Sequence, residues 1–247
     1  MKLMLLRPRR KSVLPDHIEI DGDGAPLRIR LRADPRAKRY LLRLPADYSG
    51  PVLTIPGGGD LARAERFARQ HVDWLLERLD KRPDHVALRP GDVIPLRGED
   101  HLIVATGKLR GLVDVRGGDQ PEILVPGAEG HIPRKLTAWL KNQAKVDLTR
   151  ASHFYAARLE EEIAAISIRD TKSRWGSCAL NRRLSFSWRL ILAPPDILNY
   201  VAAHEVAHLR EMNHSRRFWR VCEELAPNTN EARKWLKENG ARLHGYG

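Results

Sequence analysis

Cysteine is scarce. The 247 residues hold two, Cys178 and Cys222, too few for a disulfide framework and not in a paired metal spacing. Such usage makes the cytoplasm the default compartment. No window approaches the ~18 consecutive apolar residues of a membrane span, so no membrane partner is expected. The start, Met1-Lys-Leu-Met-Leu-Leu6 followed by Arg7-Pro-Arg-Arg-Lys11, is too short in its apolar run for a secretory leader, and its basic residues fall on the wrong side. Repeats and low-complexity tracts are missing as well. The run Gly57-Gly-Gly59 is not followed by Gly-Lys-Ser/Thr, so it reads as a turn and not as a phosphate loop.

What is present is an ordinary hydrophobic fraction, 42%, and a formal charge of +12. The first predicts a folded chain. The second has two readings: attraction to nucleic acid, nucleotides or other anions, or simply a solvated arginine-rich surface. The basic residues are spread along the chain, which favours the plainer reading.

Residues 1–15 form a basic lead-in. His17-Ile-Glu-Ile20, the strictly alternating Leu27-Arg-Ile-Arg-Leu-Arg32 and Pro51-Val-Leu-Thr-Ile-Pro56 read as strands. Arg39-Tyr-Leu-Leu-Arg-Leu44 reads as the partner of the alternating strand, giving an arginine-lined hairpin. Asp60 caps one helix running to about Leu79, and 86–125 holds several strands broken by Gly and Pro. A β-rich region with one helix is therefore expected over 16–128. From Pro133 a helical pattern extends to about Glu162, with room for a kink near Ser152. Ile166-Ser-Ile168 and Leu184 to Leu192 read as strands, Pro194-Pro195 starts a helix, Ser215 caps another, and a last one ends at Gly240. The fold class is α+β, with residues 129–247 a zincin-like helical region carrying a short antiparallel sheet.

The chemistry gathers in Tyr200-Val-Ala-Ala-His-Glu-Val-Ala-His-Leu-Arg-Glu-Met-Asn-His214. At about 100° per helical residue, His204 and His208 lie about 40° apart, one turn above the other. Two imidazoles on one helix face can bind one zinc, and Glu205 beside them can activate its water. His214 would fall on the other side of a straight helix, so it joins only if the chain bends after Met212. Asn213, which tolerates the left-handed conformation, is the place expected for that bend. Glu223, Glu224 and Glu231 are alternative third ligands with less favourable local geometry. Imidazole ligands suit zinc and also other divalent metals.

Thr171-Lys-Ser-Arg-Trp-Gly-Ser-Cys178, Leu184-Ser-Phe-Ser-Trp-Arg-Leu190 and Tyr200–Ser215, with Arg217-Phe-Trp219, resemble the YgjP-like metallopeptidase-domain proteins, which are similar to SprT-like and minigluzincin-type zinc peptidases. The resemblance is specific over 166–247. It implies a zinc hydrolase with His204, His208 and His214 as ligands and Glu205 as base. It leaves two substrate classes, a peptide or protein and a nucleoside triphosphate cleaved to pyrophosphate. Arg174 and Ser177 are the substrate-binding candidates, holding an oxyanion in the peptidase reading. In the phosphohydrolase reading Arg174, helped by Arg189, neutralises phosphate. Trp175 and Trp188 read as core packing. A third reading makes the basic first half a nucleic-acid-binding module and the metal site secondary.

Overall fold

The computed structural model describes residues 14–45, 48–82, 84–171 and 174–247. Most of the basic lead-in lies outside them. The chain divides into two compact units, Met1–Arg82 and Pro83–Gly247.

In the first unit, β1 (His17–Asp21), β2 (Pro26–Asp34), β3 (Leu41–Arg43) and β4 (Val52–Pro56) form one sheet in the order β1-β2-β4-β3. The expected hairpin of 27–32 with 39–44 does not form. β4 runs parallel to β2 between them, with Leu31 opposite Leu53, and β3 pairs antiparallel with β4. Val52-Leu-Thr-Ile55 is the most apolar of these segments, and Leu53 and Ile55 are fully buried. A strand buried in this way takes an interior place, and the three-residue β3 is left at the edge. Helices α1 (Leu61–Gln70) and α2 (Val72–Asp80) replace the single helix expected to Leu79. Asp60 caps α1 as expected, accepting from the Arg63 N–H at 2.8 Å. The break falls at His71, whose Nδ1 donates to the Phe67 carbonyl at 2.8 Å while its N–H takes Ala68. The core is Ile18, Ile20, Ile29, Leu42, Leu53, Ile55, Ala64, Ala68 and Leu75.

In the second unit, β5 (Val93–Leu96), β6 (Glu99–Ala105), β7 (Asp114–Arg116) and β8 (Glu122–Val125) make a sheet ordered β5-β6-β8-β7. The helix α3 (Ile132–Arg158) then runs 27 residues without the kink near Ser152. Its buried face, Leu136, Leu140, Ala144, Leu148, Ala151 and Tyr155, repeats every three or four residues, and the Ser152 side chain is itself buried. Ile94, Ile103, Ile123 and Val125 share one core with this helix and with buried residues of the elements that follow it.

β9 (Ala165–Arg169), β10 (Gly176–Cys178) and β11 (Arg183–Ser187) form a mixed sheet ordered β10-β11-β9, with β11 parallel to β9, where an antiparallel sheet was expected. The strand expected to Leu192 stops at Ser187, and Trp188–Leu192 curl into a 3-10 turn, all five buried. Alternation fails there because Trp-Arg-Leu-Ile-Leu is wanted inside on every side. Then follow α4 (Pro195–Ala207), α5 (Arg216–Leu225) and α6 (Thr229–His244). Gly240 does not end α6; it admits Trp175, since a Cβ there would lie 3.2 Å from the indole. The molecule is α+β. Among the described residues no helix is long and apolar enough to cross a membrane.

Candidate metal centre

Pro195 sits in the first turn of α4, where a missing N–H goes unmissed, and Asp196 complements the helix dipole. Beyond its first turn α4 is largely buried, between α3, α5, α6 and β10. There Asn199 and His204 keep partial exposure. The helix stops at Ala207, with His208 as its C-cap, earlier than the sequence led one to expect. Leu209 N–H bonds to Val206, and the N–H groups of Arg210 and Glu211 both bond to the Ala207 carbonyl, which turns the chain. Arg210 holds that turn by donating to the Leu159 carbonyl and pairing with Glu161 at 3.6 Å. The reversal is thus made at 208–211 and not by a left-handed Asn213, whose φ is not positive. Ser215 then caps α5, accepting from the Phe218 N–H at 3.4 Å.

This reversal brings His214 back over α4. Its Nε2 lies 3.1 Å from Nε2 of His204, and one ligand atom from each of His204, His208 and His214 falls within a 4.8 Å cluster. Two nitrogens bound to one tetrahedral zinc at ~2.0–2.1 Å would stand about 3.3 Å apart, so the pair already has the required spacing. The outer nitrogens are engaged: His208 Nδ1 donates to the Glu211 carbonyl at 3.0 Å, and His204 Nδ1 is 3.4 Å from the Tyr200 hydroxyl. Partners of this kind fix ring orientation and tautomer. Burial, then repulsion from His208 and His214, pushes His204 down to about 3, and burial also lowers His208. Both are therefore neutral at pH 7 with no proton to displace, as metal ligands must be. The residues present fit a divalent ion held by three imidazoles. Glu223, Glu224 and Glu231 do not join the cluster.

Phe218 lies under all three rings: stacked on His208 at 4.4 Å, and edge-on to His204 at 4.9 Å and His214 at 4.6 Å. Phe218 belongs to the Arg217-Phe-Trp219 stretch of the family resemblance, but its place under the rings is not legible from the sequence. Glu205 is 5% exposed, and burial pushes its carboxyl up to about 8 against the opposing pull of Arg174. Gly176 of β10 is what admits it: a Cβ there would stand 2.5 Å from Oε1. Gly176, Ser177 and Cys178 form one wall of a cleft of about 250 Å³ whose other wall is Glu205 and the histidines. β10 is an edge strand, and among the described residues no strand pairs with its side away from β11.

The family model for the YgjP-like metallopeptidase domain matches residues 38–239. The chain belongs to the YgjP-like family. Among solved structures, the metallopeptidase zymogen of Pyrococcus abyssi abylysin is similar at 20% identity, covering 36% of this chain and 93% of that one with a TM-score of 0.34. A search of curated proteins finds no match.

Of the substrate-binding candidates in this YgjP-like chain, Ser177 lines the cleft and Arg174 is exposed at its side, close enough for its charge to act on Glu205. Arg189 does neither. It is 1% exposed, donating to the carbonyls of Tyr246 and Gly247 at 3.0 Å, bonded to Asp170 and lying over the Trp188 ring. Trp188 is buried core, and Trp175 stacks on His244 at 4.4 Å.

Proposed function

We propose that the chain is a zinc-dependent metallopeptidase of zincin-like design. His204, His208 and His214 hold the ion, and Glu205 is the general base. The observation that carries the reading is the convergence of three imidazoles beside one buried carboxyl, with a strand edge along the same cleft. When bound, zinc supplies Lewis acidity, acidifying water and polarising the scissile carbonyl. Glu205 does the proton transfer: its carboxylate takes the proton of the attacking water and returns it to the leaving amine. In the metal-free protein Glu205 keeps its proton to about pH 8, and a divalent cation held by the three imidazoles would favour the ionised form a base needs.

The free edge of β10 holds an extended peptide by main-chain hydrogen bonds, aligning it beside Glu205. Ser177 offers a hydroxyl from that strand, and Arg174 a cation for developing negative charge on the oxyanion. The nucleotide pyrophosphatase reading called on Arg174 and Arg189 together. With Arg189 committed to the chain's own carbonyls, Arg174 is left alone there, and the peptide reading is better supported.

Metal-loaded protein incubated with unfolded casein and, separately, with a nucleotide panel tests this. Casein should be cut, and Glu205→Gln should keep its zinc by elemental analysis while losing about 10²–10⁴-fold in turnover. His204→Ala, His208→Ala and His214→Ala should each lower bound zinc. Pyrophosphate release with casein intact would transfer the site to the second reading.

A further inference from the structure

The first unit carries a second site of different chemistry. Between the β2–β3 connection and α1 lies a cleft of about 480 Å³, within the range of about 300–1,000 Å³ that binding sites occupy. Its rim is Lys38, Arg39, Arg63 and Arg66, all exposed, and its floor is Tyr40 and Phe67, both half-buried. None of the four cations pairs with a carboxylate among the described residues, although Arg32 with Asp34 and Arg69 with Asp21 in the same unit do. No carboxylate is among the residues lining the cleft. Asp60, three residues before Arg63, uses its side chain to cap α1.

The charges are placed against the helix's own preference. Arg63 is in the first turn of α1, where the dipole disfavours a cation, and Arg63 and Arg66 are like charges three residues apart. A bound anion relieves both. The rings are held in place: the Tyr40 hydroxyl accepts from Asp60 N–H at 2.9 Å and donates to its carbonyl at 3.2 Å, Arg63 lies over the Tyr40 ring at 5.6 Å, and the Phe67 ring centre is 5.9 Å from Tyr40 and 4.2 Å from His71. Cations around an aromatic floor are how proteins hold phosphates and a stacked base at once.

We propose that this cleft binds single-stranded nucleic acid, with the backbone on the four cations and a base against Tyr40 and Phe67. The wanted ligand is a polyanion and not a free nucleoside triphosphate, because the lining has no carboxylate to help carry the magnesium such nucleotides bring.

The test is fluorescence anisotropy of the full chain with labelled oligo-dT and oligo-U of about 20 nucleotides, over a salt series. Binding should weaken with a log–log slope near −3, about 0.7 for each of four phosphates. Arg63→Ala with Arg66→Ala should weaken binding about tenfold or more and reduce the slope by about 1.4. Phe67→Ala should weaken it with the slope unchanged; Phe67→Leu, which keeps the core filled but removes the ring, should do the same. Arg78→Ala with Arg116→Ala removes two charges elsewhere and should leave affinity as it was. Three results would overturn the proposal. One is an equal loss in that control pair. Another is duplex of the same length bound as tightly, with no effect of Phe67→Leu. The third is a mononucleotide that binds as tightly as the oligomer. Casein cleavage by Arg63→Ala with Arg66→Ala should be unchanged, so failure here and failure of the peptidase reading are separate outcomes.

Discussion

Eight polar or charged side chains are buried in the 83–247 unit, among them Asp147, Arg189, Glu205 and His208; among the described residues of the first unit none is. The first unit keeps an aliphatic core and wears its charges outside, where water screens them. The second takes charge inside and must satisfy it there. Screened charge can attract a polyanion but shifts few proton affinities. Buried charge is costly, and that cost is what moves Glu205 and His204 far from their ordinary values. Catalysis is therefore to be sought in one unit and recognition by charge in the other. Arg189 gives the hardest push on this contrast. Arg189→Met strands the Tyr246 and Gly247 carbonyls and leaves Asp170 with only the partly exposed Lys141 at 3.9 Å among its described ion-pair partners, and should destabilise the protein by about 3 kcal/mol in urea unfolding. A loss under about 1 kcal/mol would mean that burial of this charge is not what organises the unit.

Gly176→Ala comes next. Its methyl would stand 2.5 Å from the Glu205 carboxyl and 2.6 Å from Cγ, a contact relieved only by moving the base or the strand. Overpacking of this kind costs about 1–3 kcal/mol. Because the proposed ligands lie on other residues, zinc content should be retained while casein cleavage falls about tenfold or more; unchanged cleavage would mean that Glu205 is not the base.

Titration of the metal-free protein should show a smaller effect. Glu205 is raised to about 8, so between its unfolded value near 4.5 and that pH the folded state holds the extra proton and stability falls as pH rises. His204 is lowered to about 3, so its contribution is lost as pH falls below its unfolded value near 6.5. The two oppose one another between 4.5 and 6.5. From 6.5 to 8 Glu205 acts without His204, and wild type should lose about 1–2 kcal/mol across that window relative to Glu205→Gln. Parallel curves for the two proteins would show that the carboxyl is not buried in the free protein.

How much of this could be read beforehand also divides between local and long-range features. Asp60 and Ser215 were legible as caps because a cap is settled within three residues. The pairing of His204 and His208 was legible because helical period settles it. His214 was named on spacing, but the turn that delivers it was misplaced: α4 stops at Ala207 because Arg210 reaches Leu159 and Glu161, a tether from about fifty residues away. The apolar Val52–Ile55 suits an interior strand, but its pairing with β2 joins residues about twenty apart, and Gly176 answers to the carboxyl packed against it. Neither partner is a property of the local pattern. The same reason hid the basic cleft. Its cations come from the β2–β3 connection and from α1, whereas the eye goes to the arginines of the alternating strand Leu27–Arg32, which point elsewhere.

Those strand arginines supply the weakest test and the clearest complement to Arg189. Arg32 is 3.7 Å from Asp34, with side chains 68% and 30% exposed. Such a pair gains little in water and orders two side chains to do so, leaving about 0–1 kcal/mol. Arg32→Gln should change the unfolding free energy by no more than about 0.5 kcal/mol, against about 3 for Arg189→Met. It lies outside the cleft at Lys38–Tyr40 and α1, so oligonucleotide affinity should drop only by the small amount that one distant charge contributes. If Arg32→Gln instead destabilised the chain as much as Arg189→Met, the first unit would depend on its charges as the second does, and the separation of recognition from catalysis would no longer follow from where charge is buried.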